Sequence, residues 1–444
     1  MRTILVWIML GLILIGTGCL KSNRDDLPKI STDIASALVK KNFQSVAKRF
    51  SPDLAKVLNP EIMENYWNSY VSTMGPFQRL GSVRSESEGK SEIYYVDCIY
   101  EKNQISLKIV YDSAFNVNGL SFTPKESQAN YQLPSYADST SLTPEEVTLG
   151  HKGWELPGSL FLPAKDGKFP AVVLIHGSGP QDRYATIGPN KFFLDLAYGL
   201  VHQGFAVLCY EKRTRQYASR YADGTVRDIT VKDETIDDAV AAGQFLKSHP
   251  RIKADKIFLA GHSLGGMLIP RIDQQTSLFA GYVIMAAPAR PLEDILLEQL
   301  NYAYAIDGEL TAQDSAALAD LKKKIEMVKS PALSSKTPIT SLPYNTPAGY
   351  WLDLRGYAPA QQAKLIRKPV LIVQGQRDYQ TTYPDYKEWQ AALQKNKNVT
   401  FKAYPDLNHL FMVGQGMSYP NEYNVPNHVD LQMISDMAKW MDRN

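Results

Sequence analysis

The period of hydrophobic and polar positions changes several times along this chain. Residues 4–15 form an almost unbroken apolar run behind Arg2. Residues 30–50 then carry Ile34, Leu38, Phe43 and Val46 at helical spacing, and residues 60–74 read as another helix. From Gln78 the period shortens. The stretch "SEIYYVDCIYEKNQISLKIVYDSAFNVNGLSFTP" has alternating and β-branched runs with turn residues between them. Helices followed by such strands predict a small α+β domain. The polar stretch "ESQANYQLPSYADSTSLTPEE" carries no period and reads as a linker.

Beyond Val147 the runs become nearly continuous: "PAVVLIH", "FAVLCYE", "KIFLAGH", "GYVIMAA", "PVLIVQG" and "VTFKAYP". Strands buried on both faces have this composition. Helical segments lie between them, among them residues 236–248, closed by Pro250. Residues 430–441 form a last amphipathic helix with Leu431, Ile434, Met437 and Trp440. Alternating strands and helices predict an α/β fold, a mostly parallel doubly wound sheet. The rhythm lapses over residues 288–368, which hold "LEDILLEQLNYAYAI", "AALADLKKKIEMVK" and "YWLDLRGYAP". That interval is too long for a structureless loop and reads as a helical cap insertion. Its Leu296, Leu297, Tyr302, Tyr304, Trp351 and Tyr357 are candidates to bury part of a substrate.

The length of 444 residues suits two domains, and 44% hydrophobic content supports a sizeable core. A formal net charge of +2 leaves no electrostatic footprint for nucleic acid. Residues 1–18 have the layout of a signal peptide: a short positive start, an apolar core and the small residues Gly16-Thr17-Gly18 before Cys19. Small residues ending at a cysteine resemble a bacterial lipobox, with Gly16 where leucine is usual. This predicts lipidation at Cys19 and a membrane-anchored, extracytoplasmic lipoprotein of the cell envelope. Plain secretion and an uncleaved anchor are the alternatives. The organisation expected is therefore a signal peptide (1–18), a tether (19–29), the α+β domain (30–125), the linker (126–146) and the α/β domain (147–444) with its cap (288–368). Cys98 and Cys209 sit in strand-like runs and read as buried free thiols, and no pair has metal-ligand spacing.

The chemistry concentrates at "LAGHSLGGM". A serine between glycines, after a strand and before a helix, sits on a turn that Gly261 and Gly265 make possible. Such a turn lifts the Ser263 hydroxyl to the sheet edge and aims the next helix's amides at the same point. A serine needs a base. Of seven histidines only His409 and His428 follow Ser263. His409 lies in the loop "DLNHLF" past a strand, whereas His428 reads as a surface or helix-start residue. The acid expected at the end of "VLIVQG" is Asp378, with Asp385, at a helix start, and Asp406, in a turn, as competitors. The oxyanion donors expected are the Leu264 amide and the amide of Ser178, or next Gly179, in the loop "HGSGPQDRYATIGPN". His176 reads as structural there, with Asp182 and Arg183 bracing the loop. Lys212, Arg213 and Arg215 read as a solvated turn, with contact to substrate or structure as the alternative. No cofactor and no metal is implied.

The order "HGSGP", "GHSLGG", "GQRD" and "NHLF" resembles the α/β-hydrolase superfamily. Within it, "HGSGPQDRYATIGPNKFFLDLA" and "YEKRT" are similar to EstD-type bacterial carboxylesterases. The resemblance covers residue 147 to the C-terminus and is loose in the insertion. It implies the α/β-hydrolase fold, a triad of Ser263, Asp378 and His409, and short-acyl carboxylic esters as substrates. The α+β region resembles, in pattern, the nuclear-transport-factor-like domains, including one of unknown function found ahead of bacterial hydrolases. Two other readings stand beside the esterase. One is a serine peptidase of the same fold, which often has an aromatic where this chain has Leu264. The other is a non-catalytic envelope lipoprotein that binds through the α+β domain.

Overall fold

Strands that are apolar at every position need cover on both faces. The computed structural model describes residues 24–71, 74–88, 91–101, 104–124, 131–137, 144–222, 228–306, 308 and 310–444. Residues 1–18 and Cys19, read above as signal and lipidation site, lie outside these. The chain divides into two compact units, Met1–Thr123 and Pro124–Asn444.

In the first unit the helix Leu27–Val39 buries Leu27, Ile34, Ala35 and Leu38. One helix is expected over residues 30–50, but the chain breaks it in two. Lys41 takes a φ of 57°. The Asn42 side chain then accepts from the Ser45 amide and starts a second helix, Phe43–Ala47. The apolar spacing runs through the break because Ile34, Leu38, Phe43 and Val46 all still reach one core. Strands β1 (Phe77–Glu88), β2 (Ser91–Tyr100), β3 (Gln104–Tyr111) and β4 (Val117–Pro124) form a sheet in chain order. Cys98, on β2, is a buried free thiol, as is Cys209 in the second unit.

The second unit opens with an antiparallel hairpin, β5 (Glu145–His151) and β6 (Trp154–Phe161). Sequence pattern does not single it out, because β5 is polar and mostly exposed and β6 contains Pro157 and Gly158. The parallel strands follow: β7 (Phe169–Ile175), β8 (Ala206–Tyr210), β9 (Ile252–His262), β10 (Gly281–Met285), β11 (Val370–Gly375) and β12 (Val399–Tyr404). Their spatial order is β12-β11-β10-β9-β7-β8-β6-β5. The order reverses between β7 and β9, where an open α/β sheet leaves a crevice at its C-terminal edge.

Each apolar run is split between two cores. On β7, Ala171, Val173 and Ile175 face one core, and Val172 and Leu174 the other. On β11, Val370 and Ile372 alternate with Leu371 and Val373 in the same way. Burying one such side chain contributes about 1.5–3 kcal/mol, so this double cover holds the strands in register.

The insertion is helical, as expected. Its first helices, Leu292–Ala305 and Ala312–Lys329, are followed by short turns and the helix Ala348–Leu354. Its later part belongs to the core. Tyr350, Trp351, Leu354 and Tyr357 join the cluster on one face of the sheet, and the Tyr357 hydroxyl donates to the Met267 carbonyl at 2.5 Å. Trp351 and Tyr357 therefore pack the insertion onto the sheet.

This packing sets an expectation. Trp351→Ala should lower the unfolding free energy by about 3–5 kcal/mol, the usual cost of emptying a buried aromatic site. Denaturant unfolding measures it, and a loss below about 1 kcal/mol would contradict the core assignment.

Candidate active site

The strand register brings several loops to one edge. Gly261 of β9 pairs with Ile175 of β7 and with Ile284 of β10, and Met285 pairs with Val373 of β11. The residues that follow these strands therefore emerge side by side. Ser263 is the first residue past β9 and has φ 52° and ψ −120°. That backbone conformation costs of order 1–3 kcal/mol in a residue with a side chain. It is held by the Ser263 amide donating to the Met285 carbonyl and by the Met267 amide donating to the Ser263 carbonyl, both at 2.9 Å. The glycines around it have no space for a side chain. A Cβ at Gly261 would lie 2.5 Å from the Gly265 carbonyl oxygen, and one at Gly265 would lie 2.6 Å from the carbonyl oxygens of Ile175 and His176.

Asp378 lies past the end of β11 and His409 past the end of β12. Both side chains are buried, and the His409 Nδ1–H donates to Asp378 Oδ2 at 2.7 Å. The carboxylate is saturated. Its Oδ1 accepts from the amides of Gln380 at 2.7 Å and Thr381 at 3.0 Å, and its Oδ2 also accepts from Gln374 Nε2 at 3.1 Å. An ionised carboxylate only accepts, so the Nδ1 position carries the proton and Nε2 is left with a free lone pair. Among the described residues, no hydrogen bond joins the Ser263 hydroxyl to His409. The competing acids have other partners. Asp385 accepts from the Ala289 amide at 3.0 Å and binds Arg290, so it anchors the start of the insertion and does not cap its own helix. Asp406 is exposed in a turn. His428 contacts Asp195, whose buried carboxylate also accepts from Tyr131 of the linker stretch.

Two further residues hold the loop that carries His409, and neither stands out from sequence alone. His262 packs against His409, with ring centroids 4.5 Å apart and the ring planes tilted by 53°, and its Nε2–H donates to the His409 carbonyl at 2.9 Å. Burial, reinforced by His409, pushes its pKa well below the ordinary range, so it stays neutral. Arg377 precedes Asp378. Its guanidinium lies bidentate on Glu422 at 3.0 and 2.8 Å and donates to the carbonyls of Gly416 and Gln415. Glu422 in turn accepts from Asn408, beside His409, at 2.9 Å. The local signal for Arg377 is only its place before Asp378.

The loop after β7 closes the other side. Its Gly177 lies against the serine, where an added Cβ would come 3.2 Å from the Ser263 Cβ. His176 donates from Nε2 to the Asp182 carbonyl at 2.9 Å, and burial lowers its pKa to about 3. Arg183 binds Glu146 and Glu211, and Asp182 accepts from the amides of Tyr184 and Thr186, so both brace the loop. Lys212 and Arg213 do not form a solvated turn. Lys212 is 2% exposed and binds the Gly177 carbonyl and Glu234, and Arg213 binds the buried Asp238. Their partners lie more than twenty residues on in sequence, where no local pattern reveals them. Only Arg215 is solvated. Among the described residues, the amides of Ser178, Gly179 and Leu264 meet no protein acceptor.

Residues 172–422 match the model of the alpha/beta hydrolase family, and Esterase EstD of Thermotoga maritima is 35% identical over 404 residues, covering 91% of this chain and 92% of its own length. The chain belongs to the alpha/beta hydrolase family. Residues 31–120 match a family described as a protein of unknown function (DUF3887). Among solved structures it is similar to Est1E from Butyrivibrio proteoclasticus at 14% identity and TM-score 0.43, over 67% of this chain and 99% of that one. It is also similar to a puromycin-hydrolyzing peptidase of Mycobacterium tuberculosis at 15% identity and TM-score 0.46, over 83% of this chain and 48% of that one.

The turn at Ser263 depends on missing side chains as much as on present ones. Gly265→Ala places a methyl group against the carbonyls of Ile175 and His176, so either strand or turn must shift. The variant should lose stability by about 1–3 kcal/mol, as overpacking does, which denaturant unfolding measures. A variant as stable as the wild type would show that the turn has room.

Proposed function

We propose that this hydrolase is a serine carboxylesterase acting on short-acyl esters, with Ser263 as nucleophile, His409 as base and Asp378 as the acid that orients it. One observation carries this reading. A histidine with a saturated carboxylate on Nδ1 and a free Nε2 lies at the strand edge that also presents a strained serine. The name of the Thermotoga relative, an esterase, supports the same class.

In the proposed reaction the Ser263 oxygen attacks the ester carbonyl carbon while its proton passes to His409 Nε2. The Ser263–His409 hydrogen bond forms when substrate binds, as catalytic contacts often tighten only in the complex. Asp378 stabilises the imidazolium. The amides of Leu264 and of Ser178, with Gly179 as the alternative, hold the carbonyl oxygen as it becomes negative. Collapse of the intermediate breaks the ester C–O bond, and His409 returns the proton to the leaving alcohol. Water, deprotonated by His409, then attacks the acyl carbonyl, and the carboxylic acid leaves as Ser263 regains its proton. The insertion's first helix is the part placed to shape the acyl pocket, because its Tyr302 stacks on Tyr379, next to Asp378.

Hydrolysis of a chain-length series of p-nitrophenyl esters, with aminoacyl-p-nitroanilides alongside, tests the class. Turnover of short esters and none of the anilides is expected; the reverse would make the protein a peptidase. Ser263→Ala should abolish turnover in a folded protein. Asp378→Asn should lower kcat by about 10⁴-fold, through the wrong imidazole tautomer, with KM little changed. Asp406→Asn should be mild, and a severe Asp406→Asn would reassign the acid.

The same reading places the enzyme in the cell envelope, as a lipoprotein anchored through Cys19 after removal of residues 1–18. The support is the apolar segment ending in small residues before that cysteine. Intact-mass measurement of membrane-extracted protein should find a lipid-modified chain beginning at Cys19, and Cys19→Ser should abolish the modification. An unmodified chain, or one still beginning at Met1, would exclude the anchor.

A further inference from the structure

We propose that Lys212, held by Glu234, is a positioning residue for the oxyanion site: its ammonium fixes the Gly177–Ser178 peptide so that the Ser178 amide faces the developing oxyanion. This inference rests on the esterase reading above and adds to it a residue that never touches substrate.

The loop "HGSGP" has a mechanical problem. Glycine on either side of Ser178 leaves the intervening peptides free to rotate, and Gly179 takes a φ of 79°. A rotating peptide is a poor oxyanion donor, because the donor must already point the right way when charge develops. Something must hold it. The peptide unit is planar and trans, so the Gly177 carbonyl and the Ser178 amide point in opposite directions. Fixing one fixes the other. Lys212 Nζ donates to that carbonyl at 2.7 Å. The loop is therefore held from behind, on the side away from the Ser178 amide, which has no protein acceptor among the described residues.

The lysine is itself built in. It is among the largest fully buried side chains, and such a charge needs a partner. Glu234 Oε1 lies 3.1 Å from Nζ and accepts from the Thr214 hydroxyl at 3.0 Å, and Glu234 Oε2 accepts from the Tyr350 hydroxyl at 3.3 Å. Glu234 sits in the π-helical turn Lys232–Ile236 ahead of the helix Asp237–Ser248. The chain of contacts thus runs from the core through Glu234 and Lys212 to the peptide beside Ser263. A cation on the carbonyl also polarises the peptide and makes the Ser178 N–H a stronger donor. A neutral side chain at position 212 could provide shape but not this polarisation.

The test separates positioning from simple stability. Lys212→Met removes the contact but leaves Glu234 buried and unpaired, so Lys212→Met/Glu234→Gln is made beside it to remove both charges together. Three quantities are read: kcat and KM for a p-nitrophenyl ester, the inhibition constant of a trifluoromethyl ketone whose adduct with serine carries an oxyanion, and Tm. Both variants should lose about 10²-fold in kcat, the scale of one oxyanion donor, with KM changed less than about 3-fold. Ketone affinity should weaken by the same factor as kcat. Tm should fall in the single variant and recover in the double one while kcat stays low. A folded double variant with wild-type kcat and ketone affinity would overturn the proposal. So would a kcat that recovers together with Tm, which would make the pair purely structural. Failure of the parent reading looks different: there Ser263→Ala would keep its turnover in an otherwise wild-type enzyme.

Discussion

The left-handed backbone of Ser263 is the constraint on which the rest of the site depends. A serine with φ near 52° is unfavourable by itself, and the turn persists because its surroundings leave it no other shape. Three glycines nearby remove side chains that would collide with backbone: Gly261, Gly265 and Gly266. Two backbone hydrogen bonds tie the turn to β10 and to the following helix. Behind it, parallel strands covered on both faces by separate cores keep their ends aligned. The strain is thus sustained by the packing of the whole sheet, and a hydroxyl results that projects from its edge.

Three histidines gather at that edge, and their partners separate them by role. His176 and His262 each donate to a backbone carbonyl and are kept neutral by burial. His409 alone among the three has a carboxylate on Nδ1. A neutral imidazole bound to a carbonyl braces a loop. One bound to a saturated carboxylate can accept a proton on its other nitrogen and hold the resulting charge. The charged braces lie one layer further out. Arg377 with Glu422 holds the loop that carries His409, and Lys212 with Glu234 holds the loop after β7. Both pairs are buried or nearly so, and each cation also donates to a loop carbonyl, so the loops are set by fixed charges and not by their own glycine-rich chains.

Much of this is legible in the sequence. Continuous apolar runs separated by helices imply a parallel sheet, and a serine between glycines after such a run implies the turn at its edge. The order of Ser263, Asp378 and His409 places each at a strand end, where the structure finds them. Other features left no local trace. The burial of Lys212 and Arg213 depends on Glu234 and Asp238, which the fold brings back from the next helical segment. His262 is read as a neighbour of the serine until the β12 loop folds over it. The break at Lys41 hides inside a spacing that stays helical on both sides. The β5–β6 hairpin is an edge, and an edge strand needs no apolar pattern. Trp351 shows the converse: an aromatic in an insertion looks available for substrate, but packing against the sheet takes it first.

In the proposed reaction Ser263 carries the acyl group during turnover. Rapid-quench mixing of wild-type enzyme with a p-nitrophenyl ester, followed by intact mass and peptide mapping, tests it most directly. Where deacylation is the slower step, a burst of nitrophenol close to one equivalent of enzyme is expected, together with an acyl adduct at Ser263 on the peptide containing "GHSLGGM". An adduct on a different residue, or a full burst with no adduct on any peptide under quench conditions that preserve acyl-serine esters, would contradict it.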